Sequence, residues 1–366
     1  MRIAFLNSWP EARHQGSGTA VSIANLARGL TARGHEIVVL APDRIRSTDR
    51  PLPLLAQRIR FNRSVGQQIR KAGPLDLVVG FDLDGVHWAT RERNGTSPPF
   101  ALWLKGVAAD EARFARGAES LLLSFVARLE AMNARAADHV LVPSRYSAGV
   151  AASSYGISSR TLKVVPEAID LEEWERASPM DGAALPSESA PFEILSVARQ
   201  YQRKDTATLL RALATVERAG VPARLRVIGG GPELPRLQKL ARRLDLSRPV
   251  EFLGAVRESA TVRSLYHDAH LFCLPSLQEG FGLVFLEAMA SGVPIVAARA
   301  GAAPEVVGNG AGGRLFTPGD HEGLGHLIVE LARSPRTRDR MAEAGVRRVR
   351  YFSLNHMADR FLEASR

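Results

Sequence analysis

The chain has 366 residues, 45% of them hydrophobic, with one cysteine and 48 Lys plus Arg against 38 Asp plus Glu, a net charge of +10. That length suits two α/β domains, the hydrophobic share argues against long disorder, and the single Cys273 excludes an internal disulfide framework and points to a reducing compartment. The positive excess fits anionic ligands or a membrane surface, whereas no helix-turn-helix, zinc-ligand spacing or aromatic RNA-binding strand supports nucleic-acid binding.

The opening MRIAFLNSWPEARH reads as a strand from Arg2 to Leu6, and its apolar run is too short for a signal peptide or a membrane span, so a cytoplasmic protein is expected. Gly16 and Gly18 form a flexible turn before a helix from Ala20 to Arg33, which Gly34 caps ahead of a second strand, Glu36 to Leu40. The turn lacks G-x-G-x-x-G spacing because Val21 stands at the third glycine position, and this counts against an NAD-dependent oxidoreductase. His14, beside the turn, is either a ligand contact or an exposed loop histidine. Leu54 to Lys71 reads as a helix with Leu55, Ile59, Phe61, Val65 and Ile69 near one side and Arg58, Arg63, Arg70 and Lys71 near the other. A core-packing helix with a solvated basic face is favoured over a membrane-surface helix, although the latter keeps peripheral contact with the inner face of a membrane open.

Further strands near Leu75 to Gly80, Ala101 to Leu104, His139 to Val142 and Leu162 to Val165 alternate with helical patterns, which calls for a parallel sheet with helices on both faces over residues 1–176. Asp82 and Asp84 form D-x-D and read as helix-capping or loop acids, with metal binding the lesser possibility. Between Ser178 and Pro191, SPMDGAALPSESAP loses periodicity, so 177–191 is expected to be a linker. A second βα series follows over 192–350, with helices near Lys204 to Ala219, Glu233 to Leu244 and Ala260 to Tyr266, and a last helix near Leu354 to Ala364. Cys273, in the apolar strand HLFCLP, is expected to pack in the core rather than act as a nucleophile.

Two clusters carry the chemistry. In VARQYQRKD, Arg199 follows a strand and Lys204 opens the next helix, so both point to the carboxyl edge of the sheet, where α/β proteins bind ligands; a surface ion pair with Asp205 is the alternative. In PSLQEGFGLVFLEAMASGVPIVA, the turn Gly280-Phe281-Gly282 lets backbone N–H groups approach a ligand, and the helix that Leu283 opens aims its positive end at the same point. Glu279 precedes this turn and Glu287 lies about a turn and a half into the helix, where a carboxylate accepts hydrogen bonds from sugar hydroxyls. Phosphate plus polyol is the implied ligand.

Glu279, seven intervening residues and Glu287, within that string, resemble the E-x7-E signature of the retaining glycosyltransferases of family 4. The resemblance implies a GT-B architecture, two Rossmann-like doubly wound α/β domains facing a central cleft, with the last helix, 351–366, crossing back to the first domain. It implies transfer of a hexose from a nucleotide-diphosphate sugar to a hydroxyl acceptor, whether saccharide, lipid-linked or small natural product. Arg199 and Lys204 would hold the leaving diphosphate, Glu279 the donor sugar and Glu287 the ribose. The Gly16–Gly18 loop would lie near diphosphate and acceptor, and Gly230 and Gly254 would line the nucleotide pocket. No metal or other cofactor is expected, because fixed cations replace an Asp-x-Asp clamp in the donor half. The chain departs from the family pattern at Lys105, where many members have histidine, at Glu167-Ala168, where Asn-Gly is usual, and at Ala302, the second glycine position of G-G-x-P-E. Lys105 would bind donor phosphate or an acidic acceptor, or pair with Asp110. A noncatalytic sugar-nucleotide-binding protein and a GT-B epimerase are the alternatives.

Overall fold

The computed structural model describes residues 1–8, 18–42, 51–158, 160–175, 190–246, 248–256, 258–308, 310 and 312–366. The chain forms two compact units, one of residues 1–168 with 354–366, the other of 169–353. His14, Gly16 and the linker 177–191, apart from its last two residues, lie outside the described residues.

Unit 1 is built on strands β1 (Arg2–Leu6), β2 (Glu36–Leu40), β3 (Leu77–Phe81), β4 (Phe100–Trp103), β5 (His139–Val142) and β6 (Leu162–Val164), all parallel in the order β2-β1-β3-β4-β5-β6. Its helices are α1 (Gly18–Thr31), α2 (Pro51–Ala72), α3 (Ala108–Ala112), α4 (Ala118–Ala136), α5 (Arg145–Tyr155) and, from the end of the chain, α14 (Leu354–Ala364). β3 and β4 are apolar and buried throughout, as strands covered on both faces must be. One face packs Ile3 and Phe5 under Leu26 of α1 and Phe361 of α14, and the other packs Ala4 and Val78 under Phe61 of α2 and Ala131 of α4. α14 fits closely because Gly29 of α1 has no side chain: a Cβ there would stand 2.7 Å from the Leu354 carbonyl oxygen.

Unit 2 carries β7 (Phe192–Val197), β8 (Ala223–Ile228), β9 (Val250–Gly254), β10 (Leu271–Leu274), β11 (Ile295–Ala298) and β12 (Gly313–Phe316), parallel in the order β12-β11-β10-β7-β8-β9. Its helices are α6 (Leu171–Glu175), α7 (Thr206–Arg218), α8 (Leu234–Arg243), α9 (Ser259–His267), α10 (Leu283–Ala290), α11 (Ala303–Val307), α12 (His321–Arg333) and α13 (Pro335–Val349). The short α6 belongs here, since Ile169 bridges to Ser353 and Trp174 meets Tyr266 edge to face, so the division falls at 168/169 rather than near 176. Cys273 is fully buried in the core that α7, α8 and α12 cover, and burial pushes its thiol up, out of the nucleophilic range.

Both sheets reverse direction once. In unit 1 the chain leaves β1 toward β2 while β3 lies on the other side, and in unit 2 β7 leads to β8 while β10 lies on its other side. Neighbouring connections at such a point run to opposite faces and leave a crevice at the carboxyl edge. In unit 2 Arg199 and Lys204 follow β7, and Glu279 and Glu287 follow β10, the two strands at its reversal.

Helix α2 corrects one sequence expectation. Phe61, Val65 and Ile69 are buried as read, but Arg58 shares their face, because it precedes Phe61 by three residues and Val65 by seven. Its Nε donates to Ser8 Oγ at 2.8 Å, and its guanidinium lies 3.4 Å from Asp84. Only Arg63, Arg70 and Lys71 of the named basic residues are exposed, so α2 is a core helix with a solvated basic face.

A carboxyl group is also buried where α3, α4 and α5 meet. Glu130 accepts hydrogen bonds from Tyr155 at 2.5 Å and from the Ala108 N–H at 3.0 Å. Burial pushes its pKa from 4.5 up to about 8, with Asp82 adding to the rise and those hydrogen bonds opposing it. A folded-state pKa above the unfolded one gives a contribution fully present below pH 4.5 and lost as pH rises through about 8. Thermal stability of Glu130→Gln should therefore fall less than that of the wild type across this window. Equal slopes in scanning calorimetry would mean that folding leaves the Glu130 proton affinity unchanged.

Candidate active site

In unit 2 the carboxyl ends of β7 and β10 lie side by side, with Leu195 paired to Phe272. The loop after β7 is fixed first. Buried Gln200 donates to the Ala198 carbonyl at 2.6 Å and accepts from Thr206 at 2.7 Å, while its backbone binds Gly230 and Glu233. This backbone approach explains the glycine run. At φ +119, Gly229 would put a Cβ 1.9 Å from the Ala198 carbonyl oxygen, and at φ +157 Gly231 would put one 2.5 Å from that of Gln200, whereas Gly230 faces open space. The steric requirement thus falls on the two neighbours of the glycine that the sequence reading selected. Gly254, at φ +63, accepts from the Gly229 N–H at 2.7 Å.

The loops after β7 and β10 are joined directly. The Leu277 N–H donates to the Arg203 carbonyl at 2.7 Å, Arg203 Nε donates to Gln278 at 3.0 Å, and Lys204 Nζ donates to Glu279 Oε2 at 2.5 Å. No ion pair joins Asp205 to Arg199 or Lys204; Asp205 accepts from Thr208 instead. The Lys204–Glu279 pair is 12% and 13% exposed, enough shielding to strengthen it while leaving an edge for a ligand. Arg199 is exposed and lies with its guanidinium 5.3 Å from the Tyr201 ring centre, and no carboxylate pairs with it among the described residues.

Behind Glu279, Gly301 is packed so closely that a Cβ would stand 2.6 Å from the Glu279 backbone, and the Ala302 N–H donates to the Glu279 carbonyl. Ala302 itself has φ −81, a right-handed conformation open to any residue, so the missing second glycine alters nothing in this turn. Gly280 continues from Glu279, Phe281 is buried edge-on to Phe352, and Gly282 caps α10 at φ +93, where a Cβ would collide with Phe285. Leu283 then opens the helix, whose free N–H groups point out of the carboxyl edge. Glu287 is held from behind: Tyr266, fully buried on α9, donates its hydroxyl to Oε2 at 2.8 Å. Burial raises the Glu287 pKa and the Tyr266 hydrogen bond opposes the rise. Its Oε1 has no donor among the described residues and stays available.

Unit 1 places Lys105 differently from either expectation. Asp110 is taken by Arg113 and Tyr146, and the Lys105 ammonium is buried over the Trp103 ring, donating to Ser22 at 2.5 Å and to Glu167 at 3.1 Å. Ser22 also donates to Glu167. Burial holds the ammonium below the usual lysine range, with Glu167 opposing. The Lys105 side chain is 3% exposed, with Ser22 and Glu167 holding its ammonium. Glu167 is the residue that stands where the family has asparagine, so the two departures form one contact. Asp84 is fully buried and accepts from the Ser8 N–H and hydroxyl, so it anchors the loop after β1. Asp82, held at φ +58, accepts from the Lys105 N–H at 2.8 Å, and burial pushes its pKa up to about 6. Among the described residues no three His, Cys, Asp or Glu side chains converge as a metal site. Gly18 is the first residue of α1.

A family model for Glycosyltransferase Family 4 matches residues 16–173, and one for Glycosyl transferases group 1 matches 182–348. The chain belongs to this glycosyltransferase family. A GDP-mannose-dependent alpha-(1-6)-phosphatidylinositol monomannoside mannosyltransferase of Mycolicibacterium smegmatis is 31% identical over 220 residues, 57% of this chain and 56% of that protein. The chain spans about half the length of the curated relatives it matches. Sucrose-phosphate synthase from Thermosynechococcus elongatus aligns over 99% of this chain and 97% of its own with TM-score 0.81 at 20% identity, and Anabaena HepE in complex with UDP-glucose over 99% and 98% with TM-score 0.73 at 21% identity. These likenesses establish the fold, GT-B, two Rossmann-like α/β units.

Sequence reading missed Tyr266, Gln200 and the pairing of Lys105 with Glu167. Only the last had a signal, since two departures of opposite charge occur in one family pattern. Replacing Lys105 or Glu167 alone by methionine strands a buried charge and should cost roughly 3–5 kcal/mol, while the double variant should lose less than the sum. Urea unfolding measures the cycle, and additive losses would dissolve the pair.

Proposed function

We propose that the chain transfers a hexose from a nucleotide-diphosphate sugar to a hydroxyl acceptor with retention of anomeric configuration. The observation that carries this reading is the joining of Lys204 to Glu279 at the point where the unit 2 sheet reverses, beside the Gly282-capped start of α10 and with Glu287 set on Tyr266. Cation and helix start match a diphosphate, and the Glu287 carboxylate matches a ribose. Arg199 and Lys204 stabilise the negative charge as the bond from the anomeric carbon to the diphosphate oxygen breaks, and the α10 N–H groups add to it. Glu279 aligns Lys204 and meets the donor hexose, and the Oε1 of Glu287 accepts from the ribose.

Glu279 is ion-paired with Lys204 and Glu287 is assigned to the ribose, so neither serves as a nucleophile on the anomeric carbon, which favours a front-face route over a covalent intermediate. The acceptor oxygen bonds to the anomeric carbon on the side from which diphosphate departs, and its proton passes to the released phosphate oxygen. Side-chain cations and a helix start do this without a metal. The GDP-mannose-dependent relative acts on a phosphatidylinositol mannoside, and the acceptor proposed here is likewise a lipid-linked polyol.

Arg199→Ala or Lys204→Ala should lower turnover about a hundredfold with the thermal midpoint kept near that of the wild type. Measured diphosphate release that survives both changes in one folded protein would overturn the assignment. Transfer should also persist in excess EDTA; activity that disappears with chelation and returns with magnesium or manganese would bring Asp82 and Asp84 back as metal ligands. Glu287→Gln should weaken donor binding by about 1.5–3 kcal/mol, yet barely affect a 2′,3′-dideoxy nucleotide. Calorimetric titration of both ligands separates a ribose contact from a general disturbance of the site.

A further inference from the structure

Among the described residues three large exposed hydrophobic side chains stand on one helix, α4: Leu121 at 76% exposure, Phe125 at 44% and Met132 at 45%. A helix advances about 100° per residue, so they line a single stripe, with Arg128 exposed between Phe125 and Met132. The opposite side of α4 buries Ala127, Glu130, Ala131 and Ala134 in the core. The stripe contains no carboxylate: Glu130 is buried on the far side, and Glu119 lies roughly 160° round from Leu121. Arg116 is exposed on the segment leading into the helix, and Arg113 on the same segment is paired with Asp110. α4 ends at the amino edge of the sheet, where the Asp138 N–H meets the Phe100 carbonyl, so its first turns, with Leu121 and Phe125, rise toward the carboxyl edge.

We propose that this stripe seats unit 1 on an anionic lipid bilayer. Leu121, Phe125 and Met132 enter the boundary between headgroups and acyl chains, Arg128 lays its stem along them with its guanidinium in the headgroup layer, and Arg116 meets anionic lipid. α2, whose basic pattern suggested this role from sequence, turns its apolar residues into the core. No described helix is long and apolar enough to cross a membrane, so the contact lies along the surface. A second copy of the chain fits the stripe poorly, because two such faces related by a twofold axis would oppose arginines with no carboxylate to pair them. The proposal rests on the reading above that the acceptor is lipid-linked, since such a hydroxyl is met only at a membrane surface.

The full chain, without donor or acceptor, is floated with vesicles of phosphatidylcholine alone and of phosphatidylcholine with equal phosphatidylglycerol. It should bind the mixed vesicles and bind phosphatidylcholine alone more weakly. Leu121→Ser with Phe125→Ser should cut binding about tenfold, Arg128→Glu should reduce binding to the mixed vesicles, and Arg63→Glu with Arg70→Glu on α2 should bind like the wild type, all with unchanged thermal midpoints. Equal binding by the serine variant, or none by the wild type, overturns the proposal; so does a wild-type dimer that the serine variant dissolves, which would make the stripe an interface between copies. The readout needs no sugar nucleotide, so its failure leaves glycosyl transfer standing, and loss of donor turnover leaves the vesicle result standing.

Discussion

A parallel sheet delivers every strand's following loop to one edge, and where the strand order reverses, two neighbouring loops must diverge to opposite faces. In unit 2 those loops follow β7 and β10, and the Lys204–Glu279 ion pair closes the gap between them. The remaining parts of the site depend on that closure. The Glu279 backbone sits hard against Gly301, and Gly229 and Gly231 let the Ala198 and Gln200 backbones of the loop carrying Lys204 come close. Pairing with Glu279 compensates the largely shielded charge of Lys204 and keeps its ammonium at this edge.

The parts legible in sequence were those in which one short segment contains both the element and its constraint. The turn at Gly280 to Gly282, the helix from Leu283 and the two glutamates share one string, so periodicity and glycine chemistry sufficed. Tyr266 was illegible because it lies 21 residues from Glu287 on another helix, and nothing in the local pattern marks a buried hydroxyl as a carboxylate's partner. Arg58 was placed on the wrong face for a different reason: a long helix has positions near the border of its apolar stripe, and a buried partner such as Asp84 decides them. In IGGGPE three consecutive glycines offered no local means of telling which two face a backbone and which one faces space.

Unit 1 concentrates its buried charge at the same kind of place. Ser8, Arg58, Asp82 and Asp84 gather where β1 and β3 diverge, and Lys105 with Glu167 and Ser22 ties the end of β4 to α1 and to the loop after β6. A buried lysine is tolerable only beside a carboxylate. This makes positions 105 and 167 a single unit of change: a histidine restored at 105 alone would strand Glu167, and an asparagine restored at 167 alone would strand Lys105.

The assignment of α14 to unit 1 bears on how the chain is made. Unit 2 is continuous in sequence, whereas unit 1 needs Met357, Ala358 and Phe361 to cover the face formed by Ile3, Leu26 and Trp103. A ribosome releases those residues after the whole of unit 2 has emerged. The N-terminal sheet therefore spends most of synthesis with one apolar face covered by α1 but not by α14, and the unit begun first is the one that folds to completion last.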